Sequence, residues 1–172
     1  MKAKLNFNAL NNLQVIRVGS TEHYCLEHPR YLGYYISNQG EVISCVYGYT
    51  GKASQARGSS KPRIRRQQVN NAGYLRLLMS SPTGGGKFQL VHRLVAETFL
   101  ELPSDAPDLK DPIGADKKPR IEINHIDGNK RNNSVFNLEW CSHEENIHHK
   151  KVLNSVAEEL KAYRSLKKDR RS

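Results

Sequence analysis

The chain has 172 residues, 37% of them apolar, and its 27 Lys and Arg exceed its 17 Asp and Glu by 27 − 17 = 10 charges. This surplus favours a polyanionic partner, and no membrane span is expected because no apolar run approaches roughly 20 residues. The three cysteines form no C-x-x-C pair, so we expect small buried side chains, with no disulfide framework and no structural zinc.

The first 23 residues carry weak periodicity and several asparagines, and we predict a short helix or an irregular arm there. This N-terminus lacks the uninterrupted apolar core of a secretory signal. We therefore expect a soluble, cytoplasmic protein.

Residues 24–102 are rich in strand patterns. The sequence YLGYYISNQGEVISC predicts two strands, Tyr34–Ser37 and Glu41–Cys45, around the loop Asn38-Gln39-Gly40. Three loop residues that end in Gly suit a turn whose last position has a positive φ angle. The next residues, YGYTGKASQARGSSKPR, have no apolar period and are typical of a flexible basic segment.

Three more strand patterns, RIRRQQV, YLRLLM and KFQLV, predict a meander or a pair of hairpins. Arg63, Arg65 and Gln67 recur at every second position and so share one face. Arg can pair with guanine and Gln with adenine in a DNA groove; the alternative is the solvated outer face of an ordinary sheet. With the net charge, DNA binding is favoured, and the candidate residues are Lys61, Arg63, Arg65, Arg66, Gln67, Arg76, Lys87, Arg93, Lys150 and Lys151.

A helix is predicted from VHRLVAETFL, because its apolar residues recur at helical spacing: Val91, Leu94, Val95 and Phe99. His92, beside this apolar face, is interpreted as structural or phosphate-contacting. Residues 103–120 hold four prolines and no apolar period. We predict a linker loop there, ahead of a separate C-terminal module.

Residues 121–151 predict a strand, a turn, a second strand and a helix. The first strand, Glu122–Ile126, carries Asn124 and His125, and the second is NLEWC, with Leu138 and Trp140 as core anchors.

A capping box predicts where the helix begins. Ser142 stands three residues before Glu145, which is the spacing of this motif, and it places Asn146 in the first turns. The basic tail, 152–172, carries an apolar stripe at helical spacing, and it either extends this helix or packs back as a second one.

The C-terminal module resembles the HNH nucleases, and among them the phage-type homing endonucleases. The resemblance rests on Asn124-His125, Asp127-Gly128-Asn129, Asn132-Asn133, Asn137-Leu138-Glu139-Trp140 and Glu145-Asn146. Upstream, GYLRLLM and VHRLVAETF look like the region that precedes this motif in the family. YLGYYISNQGEVIS is similar to a small N-terminal module found with such enzymes, so the resemblance covers roughly residues 22–150.

The resemblance implies a ββα-metal active site that cuts phosphodiester bonds. A histidine titrates near neutral pH, so His125 suits a general base for water. Asn124 and Asn146 offer amide oxygens, which are hard ligands for Mg²⁺ or Mn²⁺, and the family assigns these positions to the metal. Asn137 matches the family's middle asparagine, and we expect it to bond across the turn and orient His125. Related enzymes often carry Asp at the position of Asn124.

We therefore expect an α+β protein of elongated shape, with N-terminal β hairpins and a helix, a ββα-metal module and a basic C-terminal helix. The predicted function is metal-dependent hydrolysis of double-stranded DNA by a monomer or homodimer that nicks or cuts, in a bacterial host cell if the gene belongs to a phage. Two alternatives stay open: a catalytically weak or inactive DNA-binding protein of the same fold, acting as a regulator or packaging accessory, and a nuclease directed at RNA.

Overall fold

The computed structural model describes residues 4–46, 58–80, 86–103 and 121–169. After a short helix, α1 (Phe7–Leu10), the chain forms a five-stranded antiparallel sheet in which each strand pairs with the next along the chain. Its strands are β1 (Gln14–Val18), β2 (Thr21–Glu27), β3 (Tyr34–Ser37), β4 (Val42–Val46) and β5 (Gly58–Ile64).

The turn between β3 and β4 has the predicted form. Gly40 adopts a φ angle of +87°, and the backbone N–H of Ser37 donates to the carbonyl of Glu41 at 2.9 Å. A side chain is strained at such an angle, which explains the glycine at this position.

A second antiparallel sheet contains β6 (Gln68–Val69), β7 (Leu75–Ser80) and β8 (Gly86–Leu90). Helix α2 (Val91–Phe99) follows β8 directly and buries its predicted apolar face. The third sheet is the hairpin of β9 (Glu122–His125) and β10 (Leu138–Cys141), with a 3-10 turn at Val135–Asn137 just before β10. A long helix, α3 (His143–Asp169), ends the described chain.

One apolar core joins all three sheets to α2. The first sheet contributes Leu26, Ile36 and Val42, the second contributes Leu77 and Met79, and the β9–β10 hairpin contributes the predicted anchors Leu138 and Trp140. Phe99 of α2 lies among them and is 2% exposed. Burying a large apolar side chain stabilises a fold by about 1.5–3 kcal/mol, so α2 holds the hairpin against both other sheets.

The α+β class and the antiparallel sheets were predicted correctly, but the hairpin of β1 and β2 was not, since residues 1–23 were expected to be a helix or an irregular arm. The predicted strand RIRRQQV is also divided: β5, which ends at Ile64, pairs with β4, whereas β6 pairs with β7. The segment predicted to be flexible, 47–63, is in part a strand, since its residues 58–63 belong to β5, which pairs with β4. Its first part (47–57) and nearly all of the linker (104–120) lie outside the described residues.

The basic tail extends the helix of the C-terminal module, since α3 runs without a break to Asp169. Its predicted apolar stripe is about half exposed at Val156, Leu160 and Tyr163, whereas Leu153 is partly buried and lines a cavity beside β9. No helix in the described part of the chain is long and apolar enough to span a membrane.

Cys25 and Cys141 are buried, as predicted for small apolar side chains, while Cys45 is partly exposed; all three carry free thiols. Burial raises the pKa of the Cys25 and Cys141 thiols to about 12. Both therefore stay protonated at neutral pH and have little nucleophilic character.

A buried carboxylate fastens α2 to the end of β2. The Glu97 side chain is 2% exposed, forms an ion pair with Arg30, and lies 3.3 Å from His28 Nε2. Burial alone would raise the pKa of Glu97, but the His28 imidazole and the Arg30 guanidinium outweigh it, and the pKa lies below its ordinary value.

We predict that Glu97→Gln lowers the free energy of unfolding at pH 7 by about 1–3 kcal/mol, because a charged hydrogen-bond acceptor is lost. Since the folded state depresses the pKa, the ionised carboxylate stabilises the protein above about pH 4.3, and this stabilisation is lost as the pH falls through the folded-state value. Urea titrations measure the free energy of unfolding of both proteins. The difference between wild type and Glu97→Gln should therefore become smaller as the pH is lowered.

Glu22→Gln is the matched control, because Glu22 pairs with Arg17 on the exposed β1–β2 hairpin at 2.5 Å. Such exposed pairs contribute less than about 1 kcal/mol. An equal loss in both variants would contradict the structural role given to Glu97.

Candidate active site

The β9–β10 hairpin presents polar side chains to both of its faces. Its register places Asn124 directly opposite Glu139, and alternation along the strand puts Asn124 on the same face as Glu122 and His125 on the other. Strand β9 contacts α3 as well as α2. Asn124 and His125 are therefore buried from opposite sides, at 6% and 5% exposure.

Asn137 closes the hairpin turn with three side-chain hydrogen bonds. Its Oδ1 accepts the backbone N–H of Asp127 at 3.0 Å, and its Nδ2 donates to Asp127 Oδ1 and to the carbonyl of Asn132, both at 2.9 Å. Asn137 thus spans the turn as the sequence predicts. No hydrogen bond among the described residues joins its side chain to His125, so it can orient His125 only through the hairpin backbone.

The Asp127 carboxylate is the centre of the turn. It accepts hydrogen bonds from Asn132 Nδ2, from the backbone N–H of Asn129 and from Asn137. Desolvation would raise the pKa of Asp127, but these donors outweigh it, so the pKa lies below its ordinary value. The carboxylate therefore stays ionised and holds the turn closed at neutral pH.

The His125 ring is held by a side chain to which the sequence assigned no role. Its Nε2 lies 3.0 Å from Asn133 Oδ1 in a buried contact. An amide oxygen can only accept, so a neutral His125 carries its proton on Nε2 and leaves the lone pair on Nδ1.

Burial is the largest influence on His125 and lowers the pKa of its imidazole. The hydrogen bond to Asn133 and the Asp127 carboxylate act in the opposite direction, and Lys130 adds to the lowering. The net shift is downward. The imidazole is therefore neutral at neutral pH, which is the protonation state of a general base.

Two aromatic rings pack against His125. The ring centroid of His92 lies 5.2 Å away, edge-on, and that of Tyr74 lies 5.9 Å away. Burial, followed by His125 and Arg93, lowers the pKa of His92 to about 3. His92 is thus a neutral, buried ring that supports His125, in line with the structural interpretation.

Lys130 closes this group from the turn. Its Nζ lies 4.7 Å from the centroid of the Tyr74 ring and donates to the carbonyl of Ala72 at 2.9 Å. A cation over an aromatic face is attracted by the ring quadrupole. The contact ties the hairpin turn to the loop ahead of β7.

Glutamates orient the two candidate metal ligands. Asn124 Nδ2 donates to Glu139 Oε1 at 2.8 Å, and Asn146 Nδ2 donates to Glu122 Oε2 at 2.5 Å. Because only the nitrogen of an amide can donate to a carboxylate, each bond also decides which way the amide oxygen faces. Neither amide oxygen has a hydrogen-bond partner among the described residues.

The start of α3 places Asn146 beside β9. Ser142 and Glu145 form the predicted capping box, with reciprocal hydrogen bonds of 2.8 and 3.2 Å. His143, one turn earlier than Asn146 on the same side of the helix, lies 2.8 Å from the other oxygen of Glu122. Glu122 therefore fixes the rotation of the first turn of α3 relative to the hairpin.

Residues of β9 and of the first turns of α3 line one cavity of about 550 Å³. Its walls include Asn124, His125, Asn146, Tyr74 and Lys150. The structure thus brings together the predicted base and both predicted metal ligands, although they come from two different elements.

The sequence model of the HNH endonuclease family matches residues 89–148, from the end of β8 to the first turns of α3. The matched segment contains the whole hairpin and its histidine. This segment, residues 89–148, is an HNH endonuclease domain.

Proteins similar to this chain carry the same domain. The DNA endonuclease I-HmuI of Bacillus phage SP01 is 32% identical over 118 residues, which are 68% of this chain and 51% of that protein. An uncharacterized HNH endonuclease of Acanthamoeba polyphaga mimivirus, L245, is 34% identical over 125 residues, which are 72% of this chain and 29% of the relative.

The fold is similar as well. One match is a solved structure that concerns DNA binding and cleavage by the HNH homing endonuclease I-HmuI. The two chains superpose with a TM-score of 0.51 at 25% sequence identity, and the match covers 79% of this chain and 64% of the I-HmuI chain. The present chain therefore spans less than two thirds of each of these relatives.

The donor set of the HNH domain suits a hard divalent cation. Among the described residues no group of three or more His, Cys, Asp or Glu side chains is arranged to hold a metal. A cation in this domain would be held by the amide oxygens of Asn124 and Asn146. Mg²⁺ is commonly bound in this way, through few protein ligands and several waters.

The candidate DNA-binding residues are spread over several elements. Lys61 and Arg63 lie on β5, Arg65, Arg66 and Gln67 in the connection to β6, Arg76 on β7, Lys87 on β8, Arg93 on α2, and Lys150 and Lys151 on α3. The predicted strand RIRRQQV therefore does not present Arg63, Arg65 and Gln67 on one continuous strand face, because the backbone crosses from the first sheet to the second between β5 and β6.

Gln67 and Arg76 contact neighbouring groups of the protein. Gln67 Nε2 donates to the carbonyl of Gly40 at 2.7 Å, which engages the donor that was expected to read a base. The Arg76 guanidinium lies 4.3 Å from the centroid of the Phe88 ring. Lys150, by contrast, lies at the cavity of the HNH domain.

We predict that Asn137→Ala lowers the free energy of unfolding by about 2–4 kcal/mol, since each of its three hydrogen bonds contributes about 1 kcal/mol and a cavity is left. Denaturant unfolding measures the change. In the control, Asn129→Ala removes one bond on the exposed side of the turn, to the N–H of Arg131, and should cost about 1 kcal/mol at most. An equal decrease in the free energy of unfolding in Asn137→Ala and Asn129→Ala would show that Asn137 does not hold the hairpin.

Proposed function

We propose that this protein is a metal-dependent endonuclease that hydrolyses phosphodiester bonds in double-stranded DNA, as a homing-type enzyme that nicks or cuts. One observation carries the proposal: the buried His125 and the amide side chains Asn124 and Asn146 line the same cavity, within the segment that matches the HNH endonuclease family. The relative I-HmuI, a DNA endonuclease by name, supports DNA as the substrate.

His125 is the general base in this mechanism. Its Nδ1 takes a proton from a water molecule, and the resulting hydroxide attacks the phosphorus in line with the leaving oxygen. The proton stays on Nδ1 as the imidazolium forms, while the Nε2–H bond to Asn133 is kept. The leaving oxygen takes its proton from solvent.

Asn124 and Asn146 would hold the cation through their amide oxygens. When bound, a divalent cation neutralises charge on the scissile phosphate and on the leaving oxygen. Glu139 and Glu122 keep both amides in the orientation that this requires. Their carboxylates also add negative charge beside two neutral ligands.

Duplex DNA is the proposed partner, held by a positively charged surface. The excess of ten positive charges would supply the general attraction, and Lys150, which lines the cavity, would contact a phosphate next to the cleaved bond. Most contacts of this kind position the duplex without reading its sequence. The enzyme would act as a monomer that nicks, or as a homodimer that cuts both strands.

We predict that the wild-type protein converts supercoiled DNA to nicked or linear form in Mg²⁺ or Mn²⁺, and that chelation of the metal stops the conversion. His125→Ala should lower the cleavage rate by about 10²- to 10⁴-fold, the usual contribution of a general base. Its DNA affinity, measured by fluorescence anisotropy, should stay close to that of wild type.

His148→Ala is the control, because His148 is exposed on the same helix as Asn146 and should leave the rate unchanged. Absence of metal-dependent cleavage by the wild type would contradict the proposal. Tight duplex binding without cleavage would instead favour the second candidate, an inactive DNA-binding protein. This candidate needs a test because Asn124 is a neutral amide at a position where related enzymes often carry Asp.

We further predict that Asn124→Asp tightens metal binding by about tenfold, because a carboxylate attracts a divalent cation more strongly than an amide does. The cleavage rate as a function of Mn²⁺ concentration measures this. Without metal the variant should be less stable, since Asp would face Glu139 as a like charge. An unchanged metal dependence would remove Asn124 from the ligand set.

A further inference from the structure

Asn133 is a buried polar side chain whose amide oxygen has a hydrogen-bond partner while its amide nitrogen has none among the described residues. It is 3% exposed, its Oδ1 lies 3.0 Å from His125 Nε2, and its Nδ2 has no hydrogen-bond partner within the described part of the chain. A buried donor without a partner is unfavourable, and an apolar residue of the same size would avoid it. The amide is therefore explained by what its oxygen does, which is to accept the Nε2–H of His125.

The β3–β4 turn of the N-terminal sheet contacts the loop that carries Asn133. The backbone N–H of Val135 donates to the carbonyl of Asn38 at 2.9 Å, which docks the β3–β4 turn on the loop that carries Asn133. Gly40 of that turn lies so close that a Cβ atom there would be 2.8 Å from Asn133 Cβ and 3.1 Å from its carbonyl oxygen. The β3–β4 turn therefore packs closely against Asn133.

We propose that Asn133 is a positioning residue that selects the Nε2–H tautomer of His125, and that the β3–β4 turn of the N-terminal sheet holds it in place. The consequence for catalysis rests on the proposed nuclease function. In this arrangement the N-terminal sheet serves the chemistry directly, by keeping the lone pair of His125 on Nδ1. Partners of this kind affect activity by about 10- to 100-fold in related situations.

The first test compares Asn133→Leu, which keeps the size and removes the acceptor, with Asn133→Asp, which keeps an acceptor oxygen. Under single-turnover conditions with saturating Mn²⁺, Asn133→Leu should cleave about 10- to 100-fold more slowly, with unchanged DNA affinity. Asn133→Asp should restore most of the rate. Equal rates in both variants, whether fast or slow, would overturn the tautomer role.

A second test needs no cleavage. Nitrogen-15 NMR of the histidine rings, recorded where the His125 ring is neutral and assigned with His125→Ala, distinguishes a protonated from an unprotonated ring nitrogen. Wild type and Asn133→Asp should show Nε2–H alone, whereas Asn133→Leu should show a mixture of both tautomers. A pure Nε2–H ring in Asn133→Leu would overturn the proposal even if the enzyme cleaves DNA. If the wild type does not cleave, the tautomer result still stands.

A third test addresses the β3–β4 turn. It keeps the proposal testable even if Asn133→Leu does not fold. Gly40→Ala should shift Asn133 and slow cleavage. The matched control is Gly19→Ala, because the φ angle of Gly19 is also positive, at +63°, and an added Cβ there meets nothing within 4 Å. Both variants should lose some stability, but only Gly40→Ala should lose cleavage rate and the single tautomer. Equal effects in the two variants would show that the turn does not position Asn133.

Discussion

The β9–β10 hairpin and the first turns of α3 contain too few apolar residues to bury a core of their own, and this constraint shapes the whole molecule. Leu138 and Trp140 are buried only because α2 and the two other sheets surround them. A small unit gains too little from burial to offset its conformational entropy. The hairpin and the start of α3 therefore depend on α2 and on the two other sheets for a fixed structure.

Polar contacts provide the precision that apolar packing does not. Asn137 and Asp127 close the turn through hydrogen bonds with defined directions, and Glu122 sets the position of α3 against β9. Apolar burial is non-directional, so it can hold the hairpin in place without deciding where an amide oxygen points. The cavity obtains its geometry from carboxylate–amide pairs and its rigidity from the core beneath them.

The N-terminal sheet is joined to this cavity through the β3–β4 turn. Gln67 and Val135 both donate to carbonyls of that turn, so the connection after β5 and the loop before β10 meet at the same place. Residues outside the matched HNH segment thus reach the surroundings of His125, the proposed general base. This arrangement gives the sheet a part in the site besides any contact with DNA.

Local patterns in the sequence determined the α+β class, the β3–β4 hairpin, helix α2, the capping box of α3 and the residues His125, Asn124, Asn146 and Asn137 as site candidates. Each depends on periodicity, turn chemistry or a short motif, which are properties of neighbouring residues. The tertiary structure alone decided that Asn133, Tyr74 and His92 surround His125, and that the basic segment after Gly58 divides between two sheets. Those contacts join residues far apart in the chain, and strand pairing is set by burial across the whole core, which no local pattern records.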